Sequence, residues 1–389
     1  MMKKNIILAA SAVFAIALMY YAAVYLPEFI GVKAGKRLTG LEIAKKTALF
    51  LDKTLKPDGS FELLYECTKN DSACKAIESS GPPHTGQILR AYYHLWKTTS
   101  DPKYKEKADR AMGFVLDACE KNSDYCEWNY FALHDFYMDF KDDRFKKAML
   151  KSADKFLNES LENTVNNNNG IKLAALYHVT GEKKYLDKLD KTAKDILDGK
   201  FSRGLEFFVT SDYYVVRNND IHIIWSVYLP AYAETQNVIY LNAVKDFFEK
   251  SHITEHLGKF DSGAGLGIGN LAKAWEVLLD LTEIAQGRNP HYGDLQGSMR
   301  TVPEALASHD EPDDDPEVFY AQAKAIGQHI LNERWDSQYN RQFNADYGFL
   351  HAANKSKNNK SPFYSGWLIQ LYLRMLDDSF EPPTDGQSP

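Results

Sequence analysis

Four carboxylates stand among neighbours suited to acid/base chemistry. They are Asp58 in "KPDGSF", Glu127 in "CEWNYF", Asp220 in "VVRNNDIHIIW" and Asp346 in "FNADYGF". Trp128 follows Glu127, while Tyr214, Arg217, His222 and Trp225 surround Asp220. Tyr364 and Trp367 come after Asp346, and His84 opens "HTGQILRAYYHLW". Ring faces that stack on sugars, polar groups that bond to hydroxyls, and carboxyl groups that move protons make up a carbohydrate site. Asp58, Glu127, Asp220 and Asp346 are therefore the candidate catalytic residues. The candidate binding residues are His84, Trp128, Tyr214, Arg217, His222, Trp225, Tyr364 and Trp367. Glycoside hydrolysis needs two carboxylates roughly 5 to 10 Å apart across the scissile bond, and the sequence leaves open which of the four converge. With 23 Tyr and 21 Phe, most aromatic residues must belong to a core, so placement in the fold has to select the functional ones.

A repeat supplies that placement. The turns "WKTTSDPKY", "YMDFKDDRF", "YHVTGEKKY" and "YAETQNVIY" each set one aromatic residue eight positions before another, and "EVFY" ending at Tyr320 reads as a later copy. Each is the tip of a hairpin of two helices, and such repeats define the fold. Asp101 caps a helix opened by Pro102, Asp315 and Pro316 repeat the signature, and Gly181 ends the helix through Tyr177. Segments after the tips, such as "KKYLDKLDKTAKDILDGK", have one apolar stripe and read as outer helices; segments before them, such as "GIKLAALYHVTG", are apolar all round and read as inner ones. Outer helices are predicted at 39–56, 101–121, 143–159, 183–199, 238–252 and 316–335. Inner helices are predicted at 84–97, 127–141, 170–180, 221–236, 267–286 and 362–377. The fold class is all-α, an (α/α)6 toroid of six helical hairpins.

The long connections 57–83, 200–220 and 336–361 all lead into inner helices, at one end of the ring. Loops on a rigid scaffold carry function, and the six inner N-termini aim unpaired N–H groups and positive dipole ends at that mouth. An anionic or hydroxyl-rich ligand suits it. Within the first long connection, "SFELLYE" alternates and predicts a short hairpin. Asp135 and Asp139 fall in the C-terminal half of an inner helix, away from the mouth, and read as structural or solvated. "GAGLGIGN" at 263–270 lacks the strand and the lysine of a phosphate loop, and "HDEPDDDPE" at 309–317 lacks EF-hand spacing. Neither a metal nor a cofactor is expected.

A net charge of -7, with basic residues spread along helices, argues against nucleic acid as a partner. Residues 5–27 carry no charge and are long enough to cross a bilayer, with Tyr20, Tyr21 and Tyr25 toward the far end. The chain therefore divides into an N-terminal anchor or signal segment (1–30), a toroid domain (31–380) and a disordered tail (381–389). Cys67 and Cys74, then Cys119 and Cys126, repeat one spacing. Two local disulfides are the simplest reading, with zinc the rival. Disulfides, and sequons at Asn70, Asn158, Asn354 and Asn359, put the globular part outside the cytoplasm.

"DGSFELLYE", "PHTGQILRAYYHLWKTTSDPKYKEKADRAMGFVL" and "ALYHVTGEKKYLDKLDKTA" resemble the six-hairpin toroids. These include glycoside hydrolases, polysaccharide lyases, N-acylglucosamine 2-epimerase-like proteins and the helical domain of D-glucuronyl C5-epimerases. The resemblance implies hydrolase, lyase or epimerase chemistry on a glycan or uronic-acid polymer. Chains of this look often carry an arginine just before the histidine of the first inner helix, where this sequence has Pro83. Two readings remain: a membrane-anchored extracytoplasmic enzyme acting on glycans, and a non-catalytic toroid that binds a glycan or a protein.

Overall fold

A computed structural model describes residues 37–68, 75–79, 85–201, 208–210, 213–215, 218–257, 268–288, 315–336, 347–352 and 357–382. The predicted anchor, residues 1–30, lies outside the described residues. Among the described residues no helix is long and apolar enough to cross a membrane.

Outer and inner helices alternate as the repeat predicts. The outer set is α1 (Gly40–Thr54), α3 (Pro102–Lys121), α6 with α7 (Asp143–Leu150, Ala153–Asn158), α10 (Lys183–Leu197), α13 (Val238–Ser251) and α15 (Pro316–Arg334). Five inner helices are α2 (Thr85–Thr99), α5 (Tyr130–Phe140), α9 (Asn169–Thr180), α14 (Ile268–Ala285) and α16 (Pro362–Arg374). The remaining inner helix has three parts: α11 (Asn218–Ile223), a π turn (Ile224–Tyr228) and α12 (Leu229–Thr235). Short helices α4 (Ser123–Trp128) and α8 (Leu161–Asn166) lead into α5 and α9. Each inner helix packs on its inner neighbours in turn, and α16 returns to α2, so the ring closes. The architecture is the predicted (α/α)6 toroid.

Local chemistry explains the boundaries. Asp101 and Asp315 accept the N–H groups of Lys103 and Glu317 ahead of Pro102 and Pro316. Gly181 ends α9 in the left-handed region, at φ 70°. α10 buries Tyr185, Leu189, Ala193 and Ile196 on one stripe and turns pairs such as Lys194–Asp190 to solvent. α9, by contrast, buries residues 169–176 without interruption. The repeat aromatics stack between layers: Tyr104 on Tyr92 at 6.3 Å, and Tyr240 on Tyr228 at 6.1 Å between ring centroids.

The last inner helix pairs with the first outer one, which joins the two ends of the chain. β1 (Leu38–Thr39) pairs antiparallel with β8 (Ser379–Phe380) beside this junction. Gly40 sits so close to the carbonyls of Tyr372 and Met375 that a side chain there would collide with them.

Strands appear in the connections at the other end. The predicted hairpin in the first long connection exists as β2 (Glu62–Thr68) and β3 (Lys75–Ser79). It extends into a four-stranded sheet, ordered β3-β2-β7-β6, by pairing β2 with β7 (Lys357–Lys360), which in turn pairs with β6 (Leu350–Ala352). A second small hairpin joins β4 (Phe208–Thr210) and β5 (Tyr213–Val215). The sequence reading did not anticipate the β2–β7 pairing or this second hairpin.

The π turn has a cause. Pro230 has no N–H to give the Ser226 carbonyl four residues back, and its ring crowds that carbonyl. The helix responds by widening: Leu229 N–H reaches Ile224 instead. The Ser226 carbonyl then turns against Gly170 of α9, where a Cβ would fall well inside van der Waals contact. Gly170→Ala should therefore destabilise the protein by about 1–3 kcal/mol. Gly113→Ala, on an exposed turn of α3 with nothing nearby, should stabilise it by about 0.5–1 kcal/mol. Urea unfolding of the two variants against wild type checks both signs.

Candidate functional site

The first turns of the inner helices enclose a cavity of about 450 Å³ at the mouth. All six contribute. α2 gives Gln87; α4 and α5 give Glu127, Trp128 and Phe131; and the start of α9 gives Asn167, Asn168 and Lys172. α11 and the π turn give His222 and Trp225; α14 gives Asn270 and Lys273; and α16 gives Phe363, Tyr364 and Trp367. Trp128 stands at the rim, 57 % exposed, whereas Trp225 and Trp367 are buried in the wall with ring centroids 5.4 Å apart.

Two titratable groups of unusual surroundings face this space. Lys273 Nζ lies 2.8 Å from His222 Nε2 and 5.0 Å from the centroid of Trp225. Burial pushes the lysine down to about 7, against the pull of Glu276 one turn along α14. His222 goes down to about 3, first by burial and then by the neighbouring Lys273. The imidazole is thus neutral at neutral pH. Where the amine donates to Nε2, the ring proton belongs on Nδ1.

On the opposite wall Glu127 Oε2 meets Lys155 at 2.6 Å and Oε1 meets Lys172 at 3.4 Å. Lys172 also donates to Asn169 Oδ1 at 2.7 Å. Burial lowers its amine to about 8, so it is still mostly charged at pH 7. The cavity therefore holds one cationic and one largely neutralisable lysine, a neutral histidine and a paired carboxylate. Such a set can bind an anionic group and exchange a proton beside it.

Behind the wall, Glu276 Oε2 accepts both indole N–H groups, from Trp225 at 2.9 Å and from Trp367 at 3.1 Å. Beneath Gln87 and Phe131 runs a buried ion network. Arg90 Nε donates to Asp135 Oδ2 at 2.7 Å, Arg90 Nη1 to Gln87 at 3.1 Å, and the guanidinium lies over Phe131 at 5.6 Å. His94 and His134 approach the same carboxylate at 3.5 and 3.7 Å.

Six of the expected site residues meet in the cavity: Glu127, Trp128, His222, Trp225, Tyr364 and Trp367. Asp220 is fully buried on α11, two residues from His222, and does not line the cavity. Asp58, expected as a catalytic residue, is not among the described lining residues: it is exposed on the turn before β2, where it accepts the Ser60 N–H at 2.9 Å and hydroxyl at 2.7 Å. That bonding holds its carboxyl below the usual range and builds an Asx turn. His84, Arg217 and Asp346 lie outside the described residues, and only the backbone of Tyr214, on β5, is described.

The cysteine expectation is also corrected in part. Cys119 and Cys126 are buried free thiols, and the Cys126 thiol points at the Cys119 carbonyl, 3.8 Å away. Cys74 lies outside the described residues, and of Cys67 only its position on β2 is described. Asp135 is structural as expected, but it is buried in the ion network rather than solvated. Among the described residues no group of three or more His, Cys, Asp and Glu side chains is arranged to hold a metal ion.

The sequence reading missed Lys172, Lys273 and Glu276. Their signal was present as charged residues in helices otherwise apolar all round, "GIKLAALY" and "GNLAKAWEVLL".

No model of a known protein family matches this sequence, and no curated protein matches it. Solved structures do match in fold. An unsaturated glucuronyl hydrolase specific for heparin superposes with a TM-score of 0.59 at 11% identity, covering 86% of this chain and 96% of its own. The unsaturated glucuronyl hydrolase of Bacillus sp. GL1, responsible for glycosaminoglycan degradation, gives 0.55 at 14% identity over 89% and 98%. An inactive variant of an α-1,6-mannanase from Salegentibacter sp., solved with α-1,6-mannotriose, gives 0.52 at 14% identity over 87% and 99%. The chain shares the six-hairpin toroid of these proteins.

The network under the cavity generates a stability prediction. Burial alone would raise the Asp135 carboxyl, but Arg90, His134 and His94 outweigh it and hold the group well below its ordinary value of 3.8. Its contribution is complete above that value and is lost as pH falls below it. Asp135→Asn, which leaves Arg90 buried without its carboxylate, should lower stability at pH 7 by about 3–5 kcal/mol. The deficit should shrink in urea melts below pH 4.

Proposed function

We propose that this protein is an enzyme acting on glycans, with the mouth cavity as its active site. The observation that carries the reading is the Lys273–His222 pair, 2.8 Å apart in an aromatic-lined cavity. The coarse reading, a glycan-active toroid, is supported by the kinship of fold with two glucuronyl hydrolases and a mannanase. The finer reading is proton abstraction from a uronic-acid residue of a polymer. Trp225 and Trp367 offer ring faces to the sugar, and Lys172 opposes its carboxylate.

For a 4-linked uronate the atoms balance without a cofactor. The neutral Lys273 amine takes the C5 proton, and the C5–H electron pair passes onto the carboxylate, whose charge Lys172 offsets. That pair then forms the C4=C5 double bond as the C4–O4 bond breaks. O4 leaves with the proton returned from Lys273, so none is gained or lost overall. His222 accepts a hydrogen bond from the amine and keeps its lone pair aimed at the sugar.

Glu127 is the one carboxylate among the described lining residues, and two lysines already engage it. This favours amine-based abstraction over two-carboxylate hydrolysis, which the sequence left open beside lyase and epimerase chemistry. Incubation with polygalacturonate, alginate, glycosaminoglycan and mannan separates the readings. Elimination produces the ultraviolet absorbance of the conjugated double bond; hydrolysis produces reducing ends alone; a binding module retains glycan and turns over none. Lys273→Gln should reduce turnover by about 10²–10⁴-fold. Because the amine must be neutral to act, the wild-type rate should rise with pH through about 7. A rate falling through that range would contradict the role.

We further propose that residues 1–30 anchor the chain in a membrane with the toroid on the extracytoplasmic side. The chain reaches the ring at Leu38, beside the C-terminal end of α16, whereas the cavity is at the N-terminal end of that helix. An anchored toroid would therefore present its mouth away from the bilayer. Deletion of residues 1–30 should move the protein from the membrane to the soluble fraction. External protease should reach the toroid of the intact protein in whole cells or spheroplasts.

A further inference from the structure

We infer that Glu276 is the positioning residue of this site: one buried carboxylate that fixes both tryptophans of the sugar platform from the same helical face as the lysine beside them. The inference deepens the proposed function and rests on it for the words "sugar platform"; the tie between Glu276 and the two indoles stands on geometry alone.

Glu276 does not line the cavity and is 1 % exposed. Its Oε2 accepts the indole N–H of Trp225, which arrives from the π turn, and of Trp367, which arrives from α16. Two helices of different hairpins are thereby tied to a third. Indole N–H is a donor with no alternative role when buried, so this one oxygen fixes the 43° angle between the two rings.

The tie also explains the π turn in functional terms. Widening of the helix at Ile224–Tyr228 alters the direction of Trp225 within an element that must also present His222 one turn earlier. Lys273 is three residues before Glu276 on α14, a spacing that places side chains on one helical face. The titratable groups that share the cavity wall with the lysine are His222 from α11 and Tyr364 on α16. Glu127 and Lys172 stand across the cavity, and Arg374, Asp280 and Glu283 gather beyond Glu276. Of these, Glu276 is the carboxylate that opposes the loss of the Lys273 proton.

A carboxylate that bonds two indoles and also restrains an amine makes ring geometry and proton affinity respond together. Glu276 touches neither glycan nor transferred proton; it acts through residues that do.

The test is a pH titration of the full chain by NMR, with ¹³C in lysine side chains and ¹⁵N in indoles. Lys273→Arg assigns the lysine signal, and Trp225→Phe and Trp367→Phe assign the indoles. In wild type, the Lys273 Cε signal should titrate near pH 7, and both downfield indole N–H signals should shift with the same midpoint. In Glu276→Gln, which keeps the shape and an acceptor oxygen, the Lys273 midpoint should fall by about one pH unit. Both indole signals should move upfield. Indole signals that stay flat while Lys273 titrates in wild type would overturn the inference, and so would an unmoved midpoint in a folded Glu276→Gln variant. These readouts need no ligand. A coupled titration with no glycan turned over would sink the proposed enzyme and leave Glu276 as assigned; turnover with an uncoupled titration would do the reverse.

Discussion

Everything at this site follows from the closure of a ring of helices that must be buried on every side. α16 has to pack against α2 to close the inner wall and against α1 to complete the last hairpin. Gly40 and the β1–β8 strap permit that double contact. Closure forces six N-termini to one end, and their first turns supply the cavity lining. It also removes water from the wall, so any charge placed there is governed by its few neighbours.

That dielectric setting gives ordinary residues unusual properties. A lysine on an exposed helix keeps its proton at neutral pH, whereas Lys273, 7 % exposed and facing an imidazole, has lost much of its preference for it. Lys172, equally buried but bonded to Asn169 and beside Glu127, is shifted less. Two lysines on opposite walls are thus pushed by the same desolvation to different values, and the neighbours decide the difference. Pairs of like groups driven apart in this way are how one cavity provides both an electrostatic partner and a base. The Arg90–Asp135 network has another part: it fixes Gln87 and Phe131 from below with groups that the cavity does not touch.

The ring was legible because its signals are local. Helical periodicity, Asp-Pro caps and aromatic pairs eight residues apart each sit within one hairpin, so every long helix was located to within a few residues. The β2–β7 pairing joins Tyr65 to Lys360, and nothing local in either segment names so distant a partner. Pro230 was visible in "YLPAY", but its effect on the Ser226 carbonyl depends on Gly170 being opposite. At the mouth, Glu127 and the tryptophans were found by the rule that first turns of inner helices face the ligand. A turn-forming aspartate and a catalytic one look alike in sequence, and the structure shows Asp58 building a turn through its bonds to Ser60. Lys172 and Lys273 obey the same rule as Glu127, but a lysine in an apolar helix reads alike in sequence whether it faces a cavity or reaches solvent.

The central claim is that a sugar ring sits on Trp225 and Trp367 within reach of the Lys273 amine. A crystal structure of the protein soaked with a uronate oligosaccharide tests it most directly. The account predicts one ring stacked on the tryptophans, its carboxylate toward Lys172 and its C5 hydrogen toward Lys273 Nζ. An oligosaccharide bound elsewhere on the toroid, or one in the cavity with its carboxylate turned to solvent and C5 away from Lys273, would contradict it.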